Sequence, residues 1–196
     1  MLTKEELTEA YKNFKDQKIL HLAKNDSKSL REEAVAILEN EIIKRKLDKK
    51  LLDWIKLERN FFNGAELLNL KQIIKNSECN DCGKKFNDIQ GFHIRSISAL
   101  EFSRNSKLIL CNNCGKKMRK KAYLESATLG FLSLYGIFRV PFYFITELIA
   151  SFSRNIMSNK IIEEFIFQNT GLIRKHGVEN VHEVIAQHNV QQTQQS

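Results

Sequence analysis

The stretch Cys79-Asn80-Asp81-Cys82-Gly83 is answered 28 residues later by Cys111-Asn112-Asn113-Cys114-Gly115, and these two units hold the four cysteines of the chain. A C-x-x-C pair presents two thiolates from one tight turn, and a glycine after the second cysteine permits the positive φ that such a knuckle uses. Two knuckles complete a tetrahedral set, so Cys79, Cys82, Cys111 and Cys114 are expected to bind one structural Zn2+ per chain. Two redox C-x-x-C motifs would call for a thioredoxin-like βαβ pattern, and two disulfides for a small secreted domain. Neither context is visible in the sequence. Four protein ligands leave no open coordination position for catalysis.

Between the two units the apolar residues change period. Phe86, Ile89, Phe92, Ile94, Ile97, Leu100 and Phe102 are interrupted by turn material at Asn87-Asp88, Gly91 and Arg104-Asn105-Ser106, and Leu108-Ile109-Leu110 runs straight into Cys111. Short strands fit this pattern better than a helix. Residues Glu78 to Lys117 thus resemble the zinc-ribbon class, in which two C-x-x-C-G knuckles ride on a small antiparallel sheet. That resemblance implies zinc and a fold, not a role. His93 would serve as a ligand only if a cysteine were missing, and none is.

Ahead of this segment, residues 1–75 read as a helical bundle. Thr3 with Glu6 is a capping box that opens a helix with Leu7, Ala10, Tyr11 and Phe14 on one face. Ile19, Leu20 and Leu22 suit a short helix ending near Lys24-Asn25-Asp26-Ser27, with His21 at the edge of its apolar face. Ser29 with Glu32 is a second capping box, opening a helix to about Leu47 whose inward positions are Leu30, Ala34, Ile37, Leu38 and Ile42. Further helices are expected over about Asp48 to Phe62, with Leu51, Leu52, Trp54 and Ile55 on its apolar side, and over Ala65 to Lys75. The charges of this half alternate in sign at helical spacing, the pattern of a solvated face.

The net charge of +8 is concentrated in the cysteine segment. Residues 1–75 carry 16 basic and 13 acidic side chains, residues 76–121 carry 10 and 4, and residues 122–196 carry 5 and 6. Lys116-Lys117-Met118-Arg119-Lys120-Lys121 then abuts the apolar run Ala122 to Phe152, the arrangement of a cytoplasmic membrane flank. The longest uncharged stretch, Ser126 to Phe138, is only 13 residues, whereas a spanning helix needs roughly 20. Arg139 and Pro141 break the run into two expected helices, about 120–138 and 141–154. Such a hairpin either lies at an anionic bilayer surface or packs as core.

Residues 156–189 form two further amphipathic helices, with Ile161, Ile162, Phe165 and Ile166 on the first and Val178, Val181, Val184 and Ile185 on the second. His176, His182 and His188 recur every six residues, a spacing that does not place them on one helical face. Val190 to Ser196 reads as a disordered Gln-rich tail. The acidic, non-apolar start Met1-Leu2-Thr3-Lys4-Glu5-Glu6 has the character of neither a secretory signal nor a transit peptide, and with metal-type cysteines it suggests a cytoplasmic chain, peripheral at the inner face of the membrane if the apolar segment docks there.

The expected fold is therefore mainly α with a small β zinc ribbon inserted: a bundle over 1–75, the ribbon over 76–117, a basic-flanked apolar hairpin over 118–155, C-terminal helices over 156–189 and a tail over 190–196. Leu20, Ala23 and Asn25, the Leu30 to Leu47 helix with its Glu39-Asn40-Glu41-Ile42 and Lys44-Arg45 pieces, the four cysteines and Gly136 to Pro141 together resemble small bacterial zinc-ribbon proteins. This resemblance implies no activity. Without G-x-x-x-x-G-K-[ST], G-x-S-x-G or H-E-x-x-H, and with no cysteine left over as a nucleophile, the sequence points away from an enzyme. The expectation is a non-enzymatic zinc-binding interaction or adaptor protein with a protein partner, associated with the cytoplasmic membrane surface through residues 118–154. The alternative is a nucleic-acid-binding ribbon, in which Lys84, Lys85, Lys107, Lys116, Lys117, Arg119, Lys120 and Lys121 neutralise phosphates and Phe86 or Phe92 stacks on bases.

Overall fold

A computed structural model describes residues 3–85, 87–96, 104–129, 145 and 153–194. The chain is mainly helical with a two-stranded antiparallel sheet. It divides into two compact units that cut across the linear order expected: residues 1–62 with 169–177, and residues 63–168 with 178–196.

The first unit contains α1 (Lys4–Asn13), α2 (Asp16–His21), α3 (Glu32–Lys44), α4 (Lys50–Arg59) and the short α8 (Thr170–His176). At the start of α1 the capping box forms in full: Glu6 N–H donates to Thr3 Oγ1 at 3.2 Å, and Thr3 N–H to Glu6 Oε2 at 2.7 Å. The second capping box does not form. Ser29 Oγ donates instead to the Asp26 carbonyl, and α3 begins at Glu32 behind Arg31 with no side-chain cap. The turn before α3 is held instead by Arg59, whose guanidinium donates to the carbonyls of Ser27 (2.9 Å) and Leu30 (2.7 Å) and pairs with Glu32. A distant arginine satisfies this turn because its planar fork spans two carbonyls that a serine hydroxyl cannot reach together.

Between α2 and α3 the chain widens into a π turn over Leu22–Asp26 and then tightens into a 3₁₀ turn over Ser27–Ser29. Ile19, Ala23, Leu38 and Ile42 are fully buried there, with Tyr11, Ala34, Ile37, Leu51 and Ile55 around them. The inward positions expected of α3 are the ones buried, with Leu30 only partly so. Arg45 closes the far end of α1, donating to the carbonyls of Tyr11, Lys12 and Phe14 while Glu41 and Asp16 hold its charge. Helix α8 meets α4 through Gly171, where a Cβ would fall 2.5 Å from Glu58 Oε1, and Glu58 in turn pairs with Lys28 at 2.9 Å.

The second unit contains α5 (Gly64–Lys75), strands β1 (Ile89–Ser96) and β2 (Arg104–Cys111), α6 (Asn112–Leu129), α7 (Arg154–Gln168) and α9 (Val181–Gln194). The strands pair with Ile89 opposite Cys111 and Ser96 opposite Arg104. A lone two-stranded sheet is marginal in water, and here both faces are covered. Successive strand residues point to opposite sides: Gly91 lies against Ile161 of α7, where Ser158 Oγ also accepts its N–H at 2.9 Å, while Phe92 points the other way onto Gly115 of α6.

The outer edge of β2 is covered as well. Ile109 N–H donates to Asn189 Oδ1 (2.9 Å) and Asn189 Nδ2 donates back to the Ile109 carbonyl (2.8 Å), so one amide side chain does the work of a neighbouring strand. Two residues earlier, Lys107 N–H donates to Gln192 Oε1 (3.1 Å), and the Lys107 carbonyl accepts from His188 Nε2 (3.0 Å). This corrects the expectation of a disordered tail from Val190, since α9 continues through Gln194. The glutamines read as low-complexity polarity in sequence, yet Gln192 satisfies an edge strand and accepts from Ser106 Oγ through its carbonyl. Ion pairs Lys71–Glu163 and Lys107–Glu164 tie α7 to α5 and β2.

Of the expected apolar hairpin, residues 130–144 and 146–152 lie outside the described residues, as do Phe86 and the strand connection 97–103. No helix among the described residues is long and apolar enough to cross a membrane.

Candidate metal centre

The first knuckle is built by backbone. Gly83 N–H donates to the Cys79 carbonyl at 2.7 Å, Cys79 N–H donates to the Lys84 carbonyl at 3.0 Å, and Glu78 bridges to Lys85 across the turn. Gly83 has φ +68°, the left-handed conformation that the spacing called for. Asn80, inside the knuckle, donates from Nδ2 to the His182 carbonyl at 3.2 Å, fastening it to α9.

The second C-x-x-C-G is built differently, and here the expectation of two like knuckles fails. Cys111 ends β2, and Asn112 begins α6, so Cys114 lies in the first turn of a helix. Gly115 is helical and shows no positive φ. Its lack of a side chain matters for another reason: a Cβ there would fall 2.3 Å from carbons of the Phe92 ring. The glycine makes room for the aromatic that seats α6 on the sheet.

Strand, helix and knuckle bring the four Sγ atoms within 4.8 Å of one another, with Cys82 and Cys111 3.9 Å apart. A tetrahedral zinc with Zn–S bonds near 2.3 Å requires sulfur–sulfur edges of about 3.8 Å. The four free thiols sit much too far apart for a disulfide, whose S–S length is about 2.05 Å. Cys79, Cys111 and Cys114 are buried and Cys82 is exposed.

Burial and hydrogen bonding act differently on the buried thiols. At Cys79 burial pulls the thiol pKa up, but hydrogen bonds from the backbone of Cys111, Asp81 and Cys82 outweigh it and hold the thiol below its ordinary value. Cys111 N–H reaches Cys79 Sγ at 3.4 Å. Burial pushes the Cys111 and Cys114 thiols up, and Asp81 adds to the effect at Cys114 by accepting its proton. Buried thiols of this kind become thiolates when a cation offsets the lost solvation, and four clustered cysteines could hold a divalent soft-ligand metal.

Histidine takes no part. His93 Nε2 lies on the strand surface against Asn105 Oδ1 and, at 3.1 Å, Arg95 Nε. Buried His188 bonds the Lys107 carbonyl and sets its ring against Phe165, His182 and His176 are exposed, and His21 pairs with Asp26 at 3.2 Å. Among the described residues, the four cysteines form the one cluster with metal-ligand character.

Sequence reasoning missed Asn80, Asp81 and Asn189, because an Asn or Asp beside a knuckle or on a helix carries no periodic signal.

Four of the eight basic residues expected to meet phosphate share one ridge of α6. Lys116, Lys117, Lys120 and Lys121 are spaced at i, i+1, i+4 and i+5 and are exposed. Arg119 turns inward, its guanidinium 5.5 Å from the Phe92 ring centroid. Lys84 and Lys85 are exposed near the knuckle, whereas Lys107 is held by Glu164. Phe92 is 5% exposed, so base stacking on it is ruled out in this arrangement.

No protein-family model matches the chain, and comparison with curated proteins and with solved structures gave no match.

Proposed function

We propose that the chain is a non-enzymatic interaction protein in which one Zn2+, held by Cys79, Cys82, Cys111 and Cys114, fixes a basic helix for docking. The observation that carries this reading is the convergence of four cysteine sulfurs to within 4.8 Å of one another from three separate elements. A metal so bound has no position left for a substrate, and its effect is mechanical. It joins the knuckle to the strand–helix junction from which α6 departs, and so sets where Lys116, Lys117, Lys120 and Lys121 stand. The partner surface is anionic. A cytoplasmic membrane face is the first reading, because the apolar run to Phe152 follows this ridge in sequence and each lysine near an anionic bilayer contributes about 1 kcal/mol. Nucleic acid is the second, supported by the same lysines and weakened by the burial of Phe92.

Metal analysis of purified protein is expected to give one zinc per chain, lost together with ordered structure in Cys82→Ser. A metal content near zero would overturn the centre. Sedimentation with anionic liposomes, reduced when Lys116, Lys117, Lys120 and Lys121 are all changed to Gln, tests the surface. Indifference to lipid charge combined with a salt-sensitive gel shift would transfer the reading to nucleic acid.

A further inference from the structure

The unit formed by residues 1–62 and 169–177 contains a cavity of about 530 Å³ that plays no part in the metal centre. Leu51, Trp54 and Leu57, three apart along α4, form its apolar wall. Trp54 is half-buried, and its indole N–H is already committed, donating to the Lys24 carbonyl of the π turn at 3.1 Å. What the ring offers the cavity is therefore aromatic surface. A π turn is an uncommon device that recurs at functional sites, and here it contributes Lys24 to the lining.

Lys24, Lys50 and Lys175 border the cavity from the π turn, the start of α4 and α8. All three are exposed, and among the described residues none is engaged in an ion pair. Asp48 and Asp53 complete the lining. Asp48 Oδ1 accepts from Lys50 N–H at 3.0 Å, and Asp53 is exposed.

We propose that this cavity binds a mononucleotide. The lining asks for three properties in one ligand: a flat apolar face for the indole, an anionic group for three ammonium groups, and hydrogen-bond donors for two carboxylates. A nucleoside phosphate has all three in its base, its phosphate, and its base amino or ribose hydroxyl groups. An acidic peptide would satisfy the lysines but bring no flat face for the Trp54 indole. A purely apolar ligand would leave five charges unused. The volume lies within the 300–1,000 Å³ usual for small-molecule sites.

Trp54 is the single tryptophan of the chain, so intrinsic fluorescence reports from the cavity itself. The intact, metal-loaded protein is titrated with AMP, with adenosine, inorganic phosphate and an oligoglutamate peptide as separate arms. Equilibrium dialysis with labelled AMP runs in parallel, so that a spectroscopically silent complex still registers. The expected result is saturable AMP binding with half-saturation below about 1 mM, and weaker binding of adenosine and phosphate alone. The double variant Lys24→Gln/Lys175→Gln, checked for an unchanged circular dichroism spectrum and thermal midpoint, loses roughly tenfold in AMP affinity through lost charge-assisted contacts. No saturable AMP binding by either method overturns the proposal. So do equal affinity for adenosine, unaltered affinity in the double variant, or a preference for the peptide. None of these outcomes bears on the zinc reading, which rests on a different unit of the chain.

Discussion

Gly115 illustrates how a residue can be correct in a motif for a reason the motif does not state. With the Phe92 ring 2.3 Å from where a Cβ would stand, Gly115→Ala requires the ring or α6 to shift. Overpacking of this kind costs about 1–3 kcal/mol, so the variant is expected to melt earlier than the parent in the metal-loaded state. An unchanged midpoint would show that Phe92 moves freely. His188 makes a pH-dependent contribution. Burial lowers its pKa from the ordinary 6.5, against the opposing effects of the Lys107 carbonyl and Glu164. The unfolded chain therefore takes up this proton first as pH falls. Its stabilising contribution is complete above about pH 6.5, declines as pH falls below that value, and is gone once pH lies under the folded-state pKa. Replacement by Gln, which keeps an N–H donor, is expected to flatten the acid limb of a stability-against-pH curve. An equally steep limb in the variant would assign the acid sensitivity to other groups.

At the level of elements, the strand edge and the helix ends decide most. An exposed edge strand is a template for unwanted pairing, and α9 removes that hazard with His188, Asn189 and Gln192, which reach β2 from one face of a helix. Asn189→Ala orphans both the N–H and the carbonyl of Ile109, and is expected to cost about 1–3 kcal/mol in chemical denaturation. A loss below about 0.5 kcal/mol, the scale of ordinary surface changes, would mean that water replaces the amide. The helix ends show the same preference for distant partners. Thr3 caps α1 locally, but Arg45 and Arg59 reach 29 to 34 residues back along the chain to collect the carbonyls at the end of α1 and in the 27–30 turn. Arginine serves in both places because one guanidinium satisfies several acceptors at once.

For the molecule as a whole, the division into two units makes metal dependence a local matter. The four clustered cysteines all belong to residues 63–168, while the core around Ile19, Leu38, Ile42 and Ile55 is made within residues 1–62. Treating metal-loaded protein with a chelator is expected to strip hydrogen-exchange protection from residues 79–114 and leave α3 and α4 protected, because metal binding and folding are coupled only where the ligands are. Uniform loss of protection along the chain would show one cooperative fold instead.

The sequence by itself determined which four cysteines come together and which helical faces are buried. Spacing carries both kinds of information: two C-x-x-C units leave few partners for a soft cation, and a 3.6-residue period marks Ala34, Ile37, Leu38 and Ile42 as inward wherever they pack. The two-stranded sheet was legible through the change of period, although Gly91 and Arg104-Asn105-Ser106, expected as turn material, lie within its strands. Tertiary structure decided the rest. That Cys111 and Cys114 straddle a strand–helix junction depends on Phe92 seating α6 against the sheet, a contact across more than twenty residues that no local pattern encodes. That the Gln-rich end is helix depends on the unpaired edge of β2 needing donors and acceptors, and that Arg59 holds the 27–30 turn depends on where α4 comes to rest. Local chemistry specifies what a group needs; only the folded chain specifies which distant group supplies it.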